Sequence, residues 1–154
     1  MPRLEHLVTY HANLKPPVEI GEGPFGNRSI HDVTGGTFEG PRLRGTLVAS
    51  GGDWILRDSS GVGRLDVRAT LETDDGARIY LQYYGVIVLN DAVLEAMAAS
   101  REVQYGDLYF MTQPRFETGD PRYAWLNAVV AVAEGRPKVG GVEYRVYQVL
   151  NDSD

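Results

Sequence analysis

At 154 residues the chain is long enough to bury one core and too short for two ordinary domains, so residues 1–154 are read as a single domain with a frayed tail at 151–154. A hydrophobic fraction of 43% with 10% aromatics is that of a globular protein, and a net charge of −6 with no basic run argues against nucleic acid or anionic membrane as partner. With no cysteine, disulfides, thiolate catalysis and iron–sulfur ligation are excluded. No stretch approaches the roughly 18 apolar residues of a membrane span, and the N-terminus carries Glu5, His6 and His11 where a secretory signal needs an apolar run. A soluble, cytoplasmic protein is expected, with small molecules or other protein chains as partners.

Eighteen glycines and eight prolines divide the chain into short segments that mostly alternate polar with apolar residues, the period of half-buried strands. In chain order the strands are expected at 4–11, 42–49, 54–57, 62–73, 78–88, 108–112, 123–134 and 142–150. Thr73-Asp74-Asp75-Gly76 predicts a hairpin pairing 62–73 with 78–88, because Asp-Gly supplies the positive φ angles of a tight primed turn. One helix follows: Asn90 can cap it, Val93, Leu94, Met97 and Ala98 share a face at helical spacing, and it ends near Arg101. So many strands with so little helix leave nothing to cover an open sheet, so the expected fold is all-β and mainly antiparallel. It is a closed or nearly closed barrel of about eight strands, in the manner of lipocalins and allene-oxide cyclases, with a sandwich as the rival.

Within 62–73, Arg64, Asp66, Arg68, Thr70 and Glu72 project from one face and Leu65, Val67, Ala69 and Leu71 from the other. Two placements follow. Either the polar face meets bulk water, or part of it lines a wet lumen while the apolar face packs on a helix or a second subunit.

Three constellations carry chemistry. Around the bend at 114–121 stands Glu117, followed by Tyr123, Trp125 and Asn127 on one face of an expected strand, where a phenol, an indole and an amide can stack a planar ligand and bond its edge. Gly51-Gly52-Asp53-Trp54 is a glycine turn releasing a carboxylate and an indole; partial burial at a barrel mouth would raise the Asp53 pKa and make it a usable acid or base. Asp66 and Arg68 form a carboxylate–guanidinium pair able to hold a substrate oxygen in a pocket, and of little energetic consequence on a surface. Other matches are formal. Gly21-Glu22-Gly23-Pro24-Phe25-Gly26 fits G-x-G-x-x-G without a βαβ unit around it. His6, His11 and His31 lack metal-ligand spacing, and Ser29, His31 and Asp32 are neighbours in sequence that an extended chain does not bring together.

Taken together, the segments 35–40, 43–45, Gly52-Asp53-Trp54, Asp66-Val67-Arg68, 73–76 and 109–127 resemble the bacterial family catalogued as domain of unknown function 3237, over nearly the whole chain. The resemblance implies a small antiparallel barrel with an oligomeric contact, so a homo-oligomer is expected. It also points to Asp53, Trp54, Asp66, Arg68, Glu117, Tyr123, Trp125 and Asn127 as signature positions and favours the lumenal placement of Asp66 and Arg68. It supplies no common activity. Met111 stands where the commoner family pattern has arginine, which suggests a less acidic ligand for this member.

The function expected from these residues is cofactor-free and metal-free acid–base catalysis on a small oxygenated molecule in the lumen, by an isomerase, cyclase, lyase or hydratase. Asp53 or Glu117 would move the proton, Arg68 with Tyr123 or Asn127 would steady the oxyanion, and Trp54 and Trp125 would clamp the ligand. A non-catalytic, lipocalin-like metabolite carrier is the alternative.

Overall fold

The computed structural model describes residues 1–153, and in it the alternating segments close on themselves. In chain order the elements are β1 (Arg3–Leu14), β2 (Val18–Gly23), β3 (Gly26–Glu39), β4 (Arg44–Arg57), β5 (Val62–Thr73), β6 (Arg78–Val88), α1 (Asp91–Ala98), β7 (Tyr109–Glu117), a 3-10 helix (Pro121–Ala128), β8 (Ala131–Lys138) and β9 (Gly141–Leu150). The sheet runs β1-β9-β8-β7-β6-β5-β4-β3-β2, every pairing antiparallel, and β1 also pairs with β3. That last pairing, with Tyr10 opposite Phe38, shuts an eight-stranded barrel and leaves β2 outside as a hairpin arm on β3.

The period of two decides what the barrel contains. Val67, Ala69 and Leu71 of β5 point inward and are buried, as do Ile79, Leu81 and Tyr83 of β6 and Val142, Tyr144 and Val146 of β9. Arg64 and Arg68 are exposed on the outer face and Asp66 and Thr70 are half-buried there, so the polar face of β5 meets water and the lumenal placement is overturned. Tyr10, Tyr83, Tyr144 and Phe110 stack across the lumen with ring centroids 4.9–6.2 Å apart, and aliphatic side chains fill most of the remainder.

The β5–β6 pairing forms as the sequence reads, with Leu71 opposite Ile79, but the turn is not a primed one: of Asp74, Asp75 and Gly76 only Gly76 has positive φ, at 90°. The loop is closed by the Gly76 N–H donating to the Thr73 carbonyl and the Thr73 N–H to the Ala77 carbonyl. α1 begins at Asn90, whose side chain accepts from the Val93 N–H at 2.9 Å. The helix stops at Ala98, short of Arg101, and buries Val93 and Ala96, while Leu94 and Met97 stay exposed.

The observed elements depart from the expected ones in three further places. The segment 123–134 is not one strand: Asp120 caps and Pro121 starts a 3-10 helix, whose Leu126 is fully buried where β7 turns back to β8. The two short strands 42–49 and 54–57 are one bent strand, β4. Finally β2 and β3, unmarked in the sequence reading, are strands through a glycine-rich stretch in which strict alternation is lost. No helix among the described residues is long and apolar enough to cross a membrane.

Candidate functional site

A polar residue on the inner face of such a wall must find partners or bear a cost, and four do so together. Asp53 of β4, Tyr10 of β1, Tyr83 of β6 and Tyr144 of β9 border one cavity of about 10 Å³, room for a single water-sized group, together with aliphatic side chains. Their convergence follows from β4. Between Leu47, opposite Leu71, and Gly51, opposite Ala69, β4 holds two more residues than β5, so the inward parity survives and Asp53 falls opposite inward-facing Val67. Gly51, at φ 89°, makes this bulge possible, since a side chain there would strike the Arg68 carbonyl.

Asp53 is 9% exposed and accepts one hydrogen bond, from the Asp66 backbone N–H at 3.3 Å. Burial pushes its carboxyl up from 3.8 to about 7. The Asp66 N–H pulls the other way, while the Asp66 charge adds a smaller rise and the Arg57 guanidinium a smaller fall. Burial also holds the Tyr10, Tyr83 and Tyr144 phenols above their ordinary range, and the Asp53 charge adds to each rise, so all three remain neutral hydrogen-bond donors. The Tyr10 hydroxyl is buried with no partner in hydrogen-bonding geometry among the described residues, although the Tyr83 hydroxyl lies near enough to raise its pKa both through charge and as a hydrogen-bonding neighbour.

The wall beside this cavity is irregular. Pairing shifts register between Asn13 and Leu14 in the β1–β3 ladder, between Asp32 and Gly36 in β3–β4, and between Leu47 and Gly51 in β4–β5. Leu14, Val33 and Leu47, which border these breaks, also line the cavity. Bulges gather at barrel rims and beside active sites, where they re-aim side chains and interrupt pairing. A larger hollow, about 820 Å³, is an outer groove over the β1–β3 seam lined by His6, His11, Glu39, Arg44 and Asp74. Its Glu39 and Asp74 are exposed to water, and burial of its half-buried Glu143 is outweighed by bonds from Tyr105 and Arg136 that hold the carboxyl low, so no carboxyl there is raised for proton transfer and the small inner cavity is the stronger candidate.

The remaining residues singled out from the sequence lie elsewhere. Glu117 is exposed on the outer face of β7, opposite Tyr80 of β6, and is not brought to Asp53. Trp54 is half-buried on the outside of β4 with the Arg68 guanidinium 5.8 Å from its ring, and Arg68 bonds Asp66 at 3.5 Å; this cluster is outside the wall whose inner side holds Asp53. Asp66 reaches the cavity's chemistry through its backbone N–H, which bonds Asp53, and through the smaller effect of its charge on the Asp53 carboxyl. Tyr123 donates to the Asp75 carboxylate at 2.9 Å, the Arg42 guanidinium sits 3.5 Å over the Trp125 ring, and the Asn127 amide clasps the Thr118 backbone at 2.8 and 2.9 Å. These three hold the 3-10 helix on the barrel, because a helix, unlike the expected strand, does not align residues 123, 125 and 127 on one face. Tyr10, Tyr83 and Tyr144 were missed. Tyr10 and Tyr144 stand between aliphatics on alternating strands and Tyr83 follows Leu81 on the same face, so a phenol on an apolar face was the available signal.

Among described residues, no group of three or more His, Cys, Asp or Glu side chains is placed to hold a metal ion. The fold is shared with solved structures. A β-barrel-like protein of Acinetobacter baumannii has 38% identity and a TM-score of 0.84, with 97% of each chain covered. A UPF0311 protein of Rhodopseudomonas palustris is 30% identical over 97% of this chain and 99% of its own length, and the crystal structure of a conserved protein from that organism superposes with a TM-score of 0.89 at 29% identity, over 97% of this chain and 99% of its own. A Penicillium herquei protein named hydroalkoxylation enzyme phnH is 25% identical over 84% of this chain and 72% of its own. The model for the family described as "Protein of unknown function (DUF3237)" matches residues 2–149, and the chain belongs to that family.

Proposed function

We propose that this chain is a cofactor-independent acid–base enzyme acting on a small oxygenated organic molecule, with Asp53 as the proton-transferring group and the lumenal phenols as hydrogen-bond donors. One observation carries the reading: a carboxyl walled off from water whose pKa burial raises to about 7. Near neutral pH such a group is populated in both forms, so one side chain can take a proton and return it. Structural carboxylates gain nothing from that condition, and perturbed groups of this kind concentrate at sites of chemistry.

The relative named a hydroalkoxylation enzyme supports the class. Hydroalkoxylation adds an alcohol O–H across a carbon–carbon double bond: the oxygen loses its proton, a C–O bond forms as the π bond breaks, and the neighbouring carbon gains a proton. No electrons are exchanged with an outside partner. The Asp53 carboxylate can accept the first proton and the resulting acid can deliver the second, while neutral phenols donate to the oxygen as charge develops on it. General acid–base catalysis of this kind contributes about 10²–10⁴-fold. The enzyme is favoured over a lipocalin-like carrier by the buried Asp53 carboxyl, since a carrier has no use for a group that can exchange a proton near neutral pH.

The test is turnover of alkenyl alcohols and alkenyl phenols, 2-allylphenol among them, followed as cyclisation without change of mass. Asp53→Asn is expected to lower the rate at least about a hundredfold, with Glu117→Gln left at the wild-type rate. Wild-type turnover by Asp53→Asn would reject the proposal.

A further inference from the structure

We propose that the space between Tyr10 and Asp53 is the oxygen subsite for an uncharged alcohol or phenol, whose hydroxyl accepts from the Tyr10 phenol and faces the Asp53 carboxyl. This rests on the preceding reading of the lumen as the active site. Tyr10 is 1% exposed and its hydroxyl has no partner in bonding geometry among the described residues, with the neighbouring Tyr83 hydroxyl approaching it outside that geometry, whereas the great majority of buried polar side-chain atoms are bonded. Leaving it so costs stability, and aromatic packing does not require it, since a phenylalanine would make the same ring contacts with Tyr144 at 4.9 Å and Tyr83 at 6.2 Å.

The cavity's size and lining define what completes the bond. About 10 Å³ seats one oxygen-sized group between Tyr10 and Asp53. No lysine, arginine or histidine lines it, so an anion placed there would meet the Asp53 charge with no cation to offset it. The ligand is therefore neutral where it is bound. Its carbon skeleton extends toward Leu14, Val33 and Leu47, the apolar lining beside the three register breaks, where few ladder hydrogen bonds have to be broken to admit it.

The experiment compares 4-fluorophenol with 4-fluorotoluene, which differ in the hydroxyl, by fluorine NMR titration of the full chain. Wild type is expected to bind the phenol about fivefold more tightly than the toluene, and Tyr10→Phe to bind the two alike. Thermal unfolding is read in parallel: Tyr10→Phe is expected to melt at the wild-type temperature or above it, because the lost hydroxyl has no partner in bonding geometry among the described residues. Equal binding of both probes by wild type, no binding of the phenol at millimolar concentration, or undiminished discrimination by Tyr10→Phe overturns the subsite. A clear fall in melting temperature overturns it too, by showing that the hydroxyl has a structural partner. These outcomes need no turnover. Wild-type activity in Asp53→Asn would reject the acid–base reading while phenol discrimination stood, and the loss of discrimination with Asp53→Asn still inactive would reject the subsite alone.

Discussion

Asp53→Asn is expected to stabilise the protein at neutral and alkaline pH and to leave it almost unchanged near pH 4. An unfolded chain releases the Asp53 proton near 3.8, whereas the folded chain holds it until about 7. Below 3.8 both states are protonated and the group contributes nothing. Between 3.8 and 7 the folded state keeps a proton that the unfolded state has lost, so stability falls as pH rises through that window, and above 7 the full cost of burying the charge is present. The rise is worth about 4 kcal/mol at ~1.4 kcal/mol per pH unit. Asparagine keeps the oxygen that accepts from the Asp66 N–H and cannot ionise, so the cost disappears. Urea unfolding of both proteins from pH 4 to 8.5 is the assay. The advantage of asparagine should grow from near zero to about 4 kcal/mol, roughly 10 °C in melting temperature for a chain of this size. Other titrating groups, including the Asp58, Asp75 and Asp120 carboxyls held low by their hydrogen bonds, cancel in the difference between the two proteins. A difference that does not change with pH would refute the claim that Asp53 is buried against its charge, and with it the tuning on which the proposed chemistry depends.

Two further outcomes test how the cavity is framed. Leu126→Ala should cost about 2–5 kcal/mol by urea unfolding, since Leu126 is fully buried and the 3-10 helix that carries it closes the β7–β8 end of the core. Arg136→Ala should cost about 3 kcal/mol, because Arg136 bonds Glu143 at 2.9 Å, Glu102 at 3.1 Å and Gln104 at 3.2 Å, fastening the segment after α1 to β8 and β9. Burial raises the Glu143 carboxyl, but the bonds from Tyr105 and Arg136 outweigh it and hold the pKa low, so their stabilisation is present above the ordinary glutamate range and lost as pH falls below it. The Arg136→Ala penalty should therefore shrink in acid.

The barrel was legible where a single local rule decided the outcome. Asp74-Asp75-Gly76 fixes a turn, alternation over 62–88 fixes two paired strands, and Asn90 fixes the start of α1. It was illegible where a tertiary contact overrides the local pattern. Strand β3 carries Gly35 and Gly36, which read as a loop in isolation, yet Gly36 is needed because a side chain there would collide with the His11 carbonyl of β1 at the pairing that closes the barrel. The segment 123–134 alternates well enough to pass for a strand. Pro121 after Asp120 outweighs that alternation by starting a 3-10 helix, and with the helix goes the supposed ligand face of Tyr123, Trp125 and Asn127.

The site was half legible for a related reason. Arg68, Glu117 and Trp54 stand out in the sequence because they are large, charged or aromatic, but on the water-facing side of a strand such residues cost little to keep and say little about function. Asp53 and Tyr10 are the opposite case. Each occupies a position where an alanine or phenylalanine would serve the core better, one at a cost of about 4 kcal/mol in a fold whose total stability is of the order of 5–15 kcal/mol. Two such costs, on different strands and meeting in one cavity beside the least regular part of the wall, point to a shared purpose that neither residue indicates alone. In an alternating barrel, the polar residue that breaks the apolar face therefore carries more functional information than any cluster on the polar face.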